Sequence, residues 1–233
     1  GCRAGLEVEE TRWLQQVAER DGLPSAIVAG ADLAAPDLAA RLAKHARSPR
    51  LRGVRQIVGR EPADDARTGA GRVLDDPAFA AGLRTLAAAG LSFDLQLTVP
   101  QMPRAAALFE RVPELAVALC HCGSPWDRSA EGLAAWRAGL ARLARLPRSA
   151  CKLSGLSMLD PAWTGAGFGE LARVVLDTFG PGRVMFGSNF PVDGLHRRYD
   201  EIVDATLRAV EPYGPTAVAR VFEGTAREFY RLA

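Results

Sequence analysis

Lysine is nearly missing from this chain. Lys44 and Lys152 are its only examples among 29 basic residues, so almost all the positive charge is arginine. Against 27 acidic residues the net charge is +2, too small for the basic footprint of a nucleic-acid binder. Arginines such as Arg137 and Arg145 fall on polar helix faces and read as solvated surface. No stretch approaches the roughly 18 consecutive apolar residues of a membrane span, and no membrane partner is expected. No charged-then-apolar leader opens the sequence, and it begins at Gly1 rather than Met. As given, the chain is therefore expected to be processed, a fragment or incomplete. Cysteine occurs at Cys2, Cys120, Cys122 and Cys151, with no CxxC pair. A strand through "CHC" sends Cys120 and Cys122 to one face and His121 to the other, an unpromising zinc arrangement. Buried thiols in a reducing cytoplasm are the expectation.

What is present is alternation. A 48% hydrophobic and 24% charged composition supports a sizeable core. With no Ser- or Pro-rich seam, residues 1–233 read as one domain. The runs "AIVAGADL", "LRGVRQIV", "LSFDLQLTV", "LAVALCHCG", "ACKLSGL" and "RVMFGSNFP" have the length and apolar content of buried strands. Helical patterns lie before and between them. Trp13, Leu14 and Val17 share a side of 10–20, and Pro36 opens "PDLAARLAKHAR". "DPAFAAGLRTLAAAG" stops at Gly90, and Leu133, Trp136, Leu140 and Leu143 form one stripe. Two more helical stretches finish the chain. Strands separated by helices predict a parallel, helix-covered α/β sheet. An open doubly wound sheet and a closed (β/α)₈ barrel compete. The open form often carries GxGxxG after a strand, and none occurs here. Six strands fall two short of a barrel, which is then incomplete.

Polar residues gather near the strand tips. In "FDLQL", Asp94 and Gln96 share one face, opposite Phe93, Leu95 and Leu97. In "CKLSG", Lys152 and Ser154 lie opposite Cys151 and Leu153. His121 closes "LAVALCH", Arg55 sits in "GVRQ", and Asn189 ends "MFGSN". Each has a plain structural alternative: a hydrogen-bonded core histidine, a snorkelling lysine, an Arg55–Asp94 bridge, or Asp193 as a loop cap. Unpartnered buried charge costs several kcal/mol, so their recurrence at one end of one sheet favours a functional site.

The segments "GVRQ", "LSFDLQL", "HCGSPWDRS", "CKLSGL" and "MFGSNFPVDGL" occur in the order and spacing of the amidohydrolase-related family. The chain resembles its lactonase-like branch, which contains pyrone-dicarboxylate and sugar-acid lactonases. The closing "FEGTAREFYRL" is similar to that branch's "NAxxxY" element. The resemblance spans nearly the whole chain and implies a (β/α)₈ barrel, with roughly 50–60 residues of its first βα units absent. It implies a hydrolase opening a lactone or similar cyclic ester of a small carboxylated or hydroxylated acid. The alternatives are a decarboxylase of the same superfamily, a phosphate-binding barrel using Ser154–Gly155 and Gly187–Ser188, and a truncated barrel without catalysis. On the resemblance, His121 matches the strand histidine of an "HxGxP"-like motif, and Arg55 a substrate-carboxylate ligand. Asn189 stands where many relatives have an aspartate that binds metal or activates water. An amide cannot take that proton, which makes Asp193 a second candidate base. The catalytic candidates are therefore His121, Asn189 and Asp193; the substrate-binding candidates are Arg55, Asp94, Gln96 and Lys152. The family's HxH pair has no match, since the other histidines are His45 and His196. Metal ligands stay unassigned, between one divalent ion (zinc or manganese) and none. A homo-oligomer is one expected assembly.

Overall fold

A computed structural model describes residues 5–160, 162 and 165–232; Cys2 lies outside the described residues. Six strands are present: β1 (Ile27–Gly30), β2 (Leu51–Ile57), β3 (Ser92–Gln96), β4 (Val117–Leu119), β5 (Ser149–Leu153) and β6 (Val184–Phe186). They form one sheet in sequence order, every neighbouring pair parallel. One row of the register runs Gly30, Arg55, Asp94, Ala118, Ala150 from β1 to β5. This is the wall of a (β/α)₈-type barrel with six strands in place.

The helices are α1 (Glu7–Asp21), α2 (Leu38–His45), α3 (Pro62–Thr68), α4 (Pro77–Ala88), α5 (Met102–Phe109), α6 (Ala130–Leu143), α7 (Leu156–Leu159), α8 (Gly165–Phe179), α9 (Tyr199–Val210), α10 (Pro215–Ala219) and α11 (Thr225–Tyr230). Alternation along the strands divides the core in two. Val54, Phe93, Leu95, Val117, Leu119, Cys151, Leu153 and Val184 join the helices in the larger cluster. Phe93 lies between Phe79, edge-on at 6.0 Å, and Phe109, stacked at 5.8 Å. Burying each such ring contributes roughly 1.5–3 kcal/mol. The opposite faces of β4, β5 and β6 present Ala118, Ala150 and Met185, which pack around Tyr230 of α11.

Two local expectations need correction. Alternation carries a strand through Cys120–His121–Cys122, but β4 ends at Leu119, and His121 and Cys122 adopt left-handed φ of 52° and 54°. The chain turns there, so the two thiols do not share a face. Cys122 joins the helix-side core, whereas Asp94 and Lys152 act on Cys120. Likewise "ACKLSGL" leaves the sheet at Leu153 and winds into α7. The structure also adds α3 and the turn of helix at Ala70–Asp75, which have no apolar period to announce them. Buried Asp65 organises that loop, accepting from Arg60 N (2.9 Å) and Thr98 Oγ1 (3.2 Å).

Candidate active site

The carboxyl ends of β2 to β5 bring four of the expected side chains together. Arg55 and Asp94 are register partners on β2 and β3, and Gln96 lies two residues farther along the same face of β3. Arg55 does not bridge to Asp94. Its Nη2 donates to Gln96 Oε1, and its buried Nε has no protein partner. Asp94, almost fully buried, accepts instead from Lys152 Nζ on one oxygen and from the Tyr230 hydroxyl, at 2.8 Å, on the other. Burial alone would lower the Lys152 pKa, but the charge and hydrogen bond of Asp94, together with Cys120, outweigh it and the ammonium holds its proton above the ordinary lysine value.

His121 stands beside this group on the turn after β4. Three contacts fix the turn. Its Nδ1 hydrogen-bonds to Ser154 Oγ at 3.0 Å, and Trp136 Nε1 on α6 donates to Cys122 O at 2.7 Å. The ring also rests against Gly155: a Cβ there would lie 2.6 Å from Nδ1, and φ at that glycine is +71°. Burial, then the nearby Arg55 and Lys152 cations, drives the imidazole pKa down to about 3. The ring is therefore neutral at any ordinary working pH.

Asn189 and Asp193 form a second group beyond β6. Asn189 has φ of +53°, a conformation that asparagine and aspartate tolerate better than most residues. Its Nδ2 donates to Asp193 Oδ1 at 2.8 Å, and Met158 N donates to the same oxygen at 3.2 Å. Asp193 is buried, and its carboxylate ties the β6 loop to α7. No hydrogen bond links this pair to Arg55, Asp94, His121 or Lys152 among the described residues. Reading the sequence position by position gave no role to Tyr230. Its only sequence signal is its place in the closing "FEGTAREFYRL".

Among the described residues no three His, Cys, Asp or Glu side chains stand together to hold a metal ion. His121 spends Nδ1 on a serine, and Asn189 points its amide nitrogen at a carboxylate. Among the described residues, this donor set does not make a metal centre.

Comparison with known proteins agrees with this architecture. The amidohydrolase family profile matches residues 3–232, and the chain belongs to that family. An L-fucono-1,5-lactonase of Burkholderia ambifaria is 35% identical over 236 residues, covering 96% of this chain and 76% of the relative. A crystal structure of an amidohydrolase from Burkholderia multivorans with bound HEPES superposes with a TM-score of 0.86 at 33% identity. That match covers 97% of this chain and 80% of the other. The Rhizobium 2,6-dihydroxybenzoate decarboxylase shares the fold alone, at 15% identity and a TM-score of 0.67 over 97% of this chain and 76% of its own. Family and relatives together make this chain a hydrolase of the lactonase-like branch.

Proposed function

We propose that the chain opens the 1,5-lactone of a small polyhydroxylated acid, releasing the open-chain carboxylate. Two cations, Arg55 and Lys152, against one carboxylate, Asp94, around a neutral imidazole carry this reading. Water attack on a ring ester places negative charge on the carbonyl oxygen. As the tetrahedral adduct collapses the ring C–O bond breaks, and the ring oxygen leaves as a hydroxyl carrying the proton that the water gave up. The new acid ionises to a carboxylate. Fixed cations in a partly buried site stabilise that charge far more than water does. Arg55 anchors the acyl end, its planar guanidinium suited to a carboxylate, with Gln96 orienting it. Lys152 donates to a substrate oxygen, and Asp94 holds it in place.

His121 acts as a neutral donor. In the tautomer in which Ser154 Oγ donates to Nδ1, Nε2 carries the proton and polarises the ring carbonyl; an imidazole this weakly basic does not store a proton. Asn189 uses its carboxamide oxygen to orient the attacking water, and Asp193 holds the amide for it. As a base, Asp193 has only its second oxygen to offer. The three free buried thiols Cys120, Cys122 and Cys151 support a cytoplasmic setting.

Proton release during hydrolysis of a panel of six-carbon aldono-1,5-lactones, with 2-pyrone-4,6-dicarboxylate alongside, tests the reading. Turnover of an aldonolactone is expected. His121→Ala is expected to lose at least about 10²-fold in kcat, and Asp193→Asn less. A folded protein that hydrolyses no lactone in the panel would overturn the assignment. An Asp193→Asn variant as inactive as His121→Ala would assign acceptance of the water's proton to Asp193.

A further inference from the structure

Tyr230 comes from the far end of the chain, 136 residues after Asp94, yet its hydroxyl meets that carboxylate inside the sheet at 2.8 Å. The register row that holds Asp94 is built to admit it. Ala118 and Ala150 are small, and with Met185 they leave room that the phenol ring of α11 fills. Above the ring stands the Lys152 ammonium, 5.4 Å from its centroid, a cation–π distance. Asp94 thus has one oxygen on the phenol and the other on the ammonium. Tyr230 and Asp94 are both buried, the Asp94 side chain at 2% exposure, whereas that of Lys152 is 23% exposed. The buried end is anchored, and the ammonium is what remains to meet a ligand.

We propose that Tyr230 is a positioning residue for Lys152: by occupying one oxygen of Asp94, it restricts the carboxylate to a single-oxygen grip and leaves the ammonium at the mouth. Resting on the role given above to Lys152, this makes α11 part of the substrate site without touching substrate. The groups facing Lys152 are Asp94, Tyr230, Arg55 and Cys120, with His121 beside them. Burial and Asp94 push the Tyr230 pKa well above its ordinary value, so the hydroxyl stays a donor. Without that hydroxyl, Asp94 turns both oxygens to the ammonium, draws it inward and holds its proton to higher pH.

Tyr230→Phe removes the hydroxyl and keeps the ring among Ala118, Ala150 and Met185. KM for the lactone is expected to rise about tenfold with kcat within about twofold, the split that lost ground-state contact produces. The second readout needs no substrate. Protein grown with 13Cε-lysine gives two lysine signals, with exposed Lys44 as the internal reference. The Lys152 titration is expected to move up by about one pH unit in Tyr230→Phe. An unchanged Lys152 titration overturns the proposal and leaves Tyr230 as packing. So does a KM effect that persists undiminished when Tyr230→Phe is placed on Lys152→Met. If the parent hydrolyses no lactone, the functional assignment fails while the titration still decides the role of Tyr230.

Discussion

At Gly155 one hydrogen atom decides whether His121 can sit where it does. The imidazole lies where a side chain at 155 would begin, and the backbone there is left-handed, so Gly155→Ala meets both a clash and a strained φ. We expect a stability loss of roughly 1–3 kcal/mol with a disproportionate fall in kcat, because the ring must leave Ser154 to make room. Urea unfolding beside steady-state kinetics separates the two; a variant with unchanged kcat would show that the ring position is not needed. The same imidazole makes a pH statement. Held neutral by burial and by the Arg55 and Lys152 cations, it contributes no acid limb to kcat between pH 5 and 8. A limb near the usual histidine value would belong to another group. Neither point is legible in the sequence. "CHC" continues the apolar–polar alternation of a strand, and only the left-handed turn at His121 and Cys122 shows that alternation had stopped governing the chain.

Elements were far easier to read than contacts. Each of the six apolar runs overlaps a strand, and the amphipathic stripes recover the main helices, because burial on two faces or one imposes a period on composition. The α3 segment, "PADDART", buries only Asp65 and therefore has no period to read. Pairing is set by register and reach. Arg55 lies beside Asp94, as a bridge would require, yet its guanidinium reaches along the strand to Gln96, while Asp94 finds Lys152 58 residues away. Close approach is equally hidden. Gly82 in the middle of α4 looks like a fault in a helix, worth about 1 kcal/mol to an alanine. A Cβ there would stand 2.2 Å from the Leu33 carbonyl oxygen, on backbone that cannot step aside. Gly82→Ala is accordingly expected to destabilise by about 1–3 kcal/mol against its propensity, measured by urea midpoint at constant m-value. A stabilised variant would show that α4 shifts freely on the sheet.

For the molecule as a whole, buried neutral histidines set the acid limit. His121 and His45 both have pKa values below the ordinary 6.5, in each case chiefly through burial. His45 is packed under α1 with Nδ1 on Thr11 Oγ1 at 2.8 Å, and Glu7, Glu9 and Arg41 are the charges that act on it. Below pH 6.5 the unfolded chain binds protons that the folded chain refuses, so stability is fully present above that value and declines as pH falls toward the folded pKa values. Chemical denaturation at pH 7.5 and pH 5 should show the loss, and His45→Gln should reduce its slope; equal stability at both pH values would contradict the burial of these rings. The parallel sheet in sequence order has a different kind of consequence, concerning synthesis. Each strand pairs with the one made just before it, so the wall can be laid down as the chain leaves the ribosome. The bond from Tyr230 to Asp94 cannot. At about 5–20 residues per second, Asp94 waits on the order of 7–27 s for its phenol. A nascent chain stalled before residue 230 would hold a nearly finished wall around an Asp94 that still lacks one of its two partners.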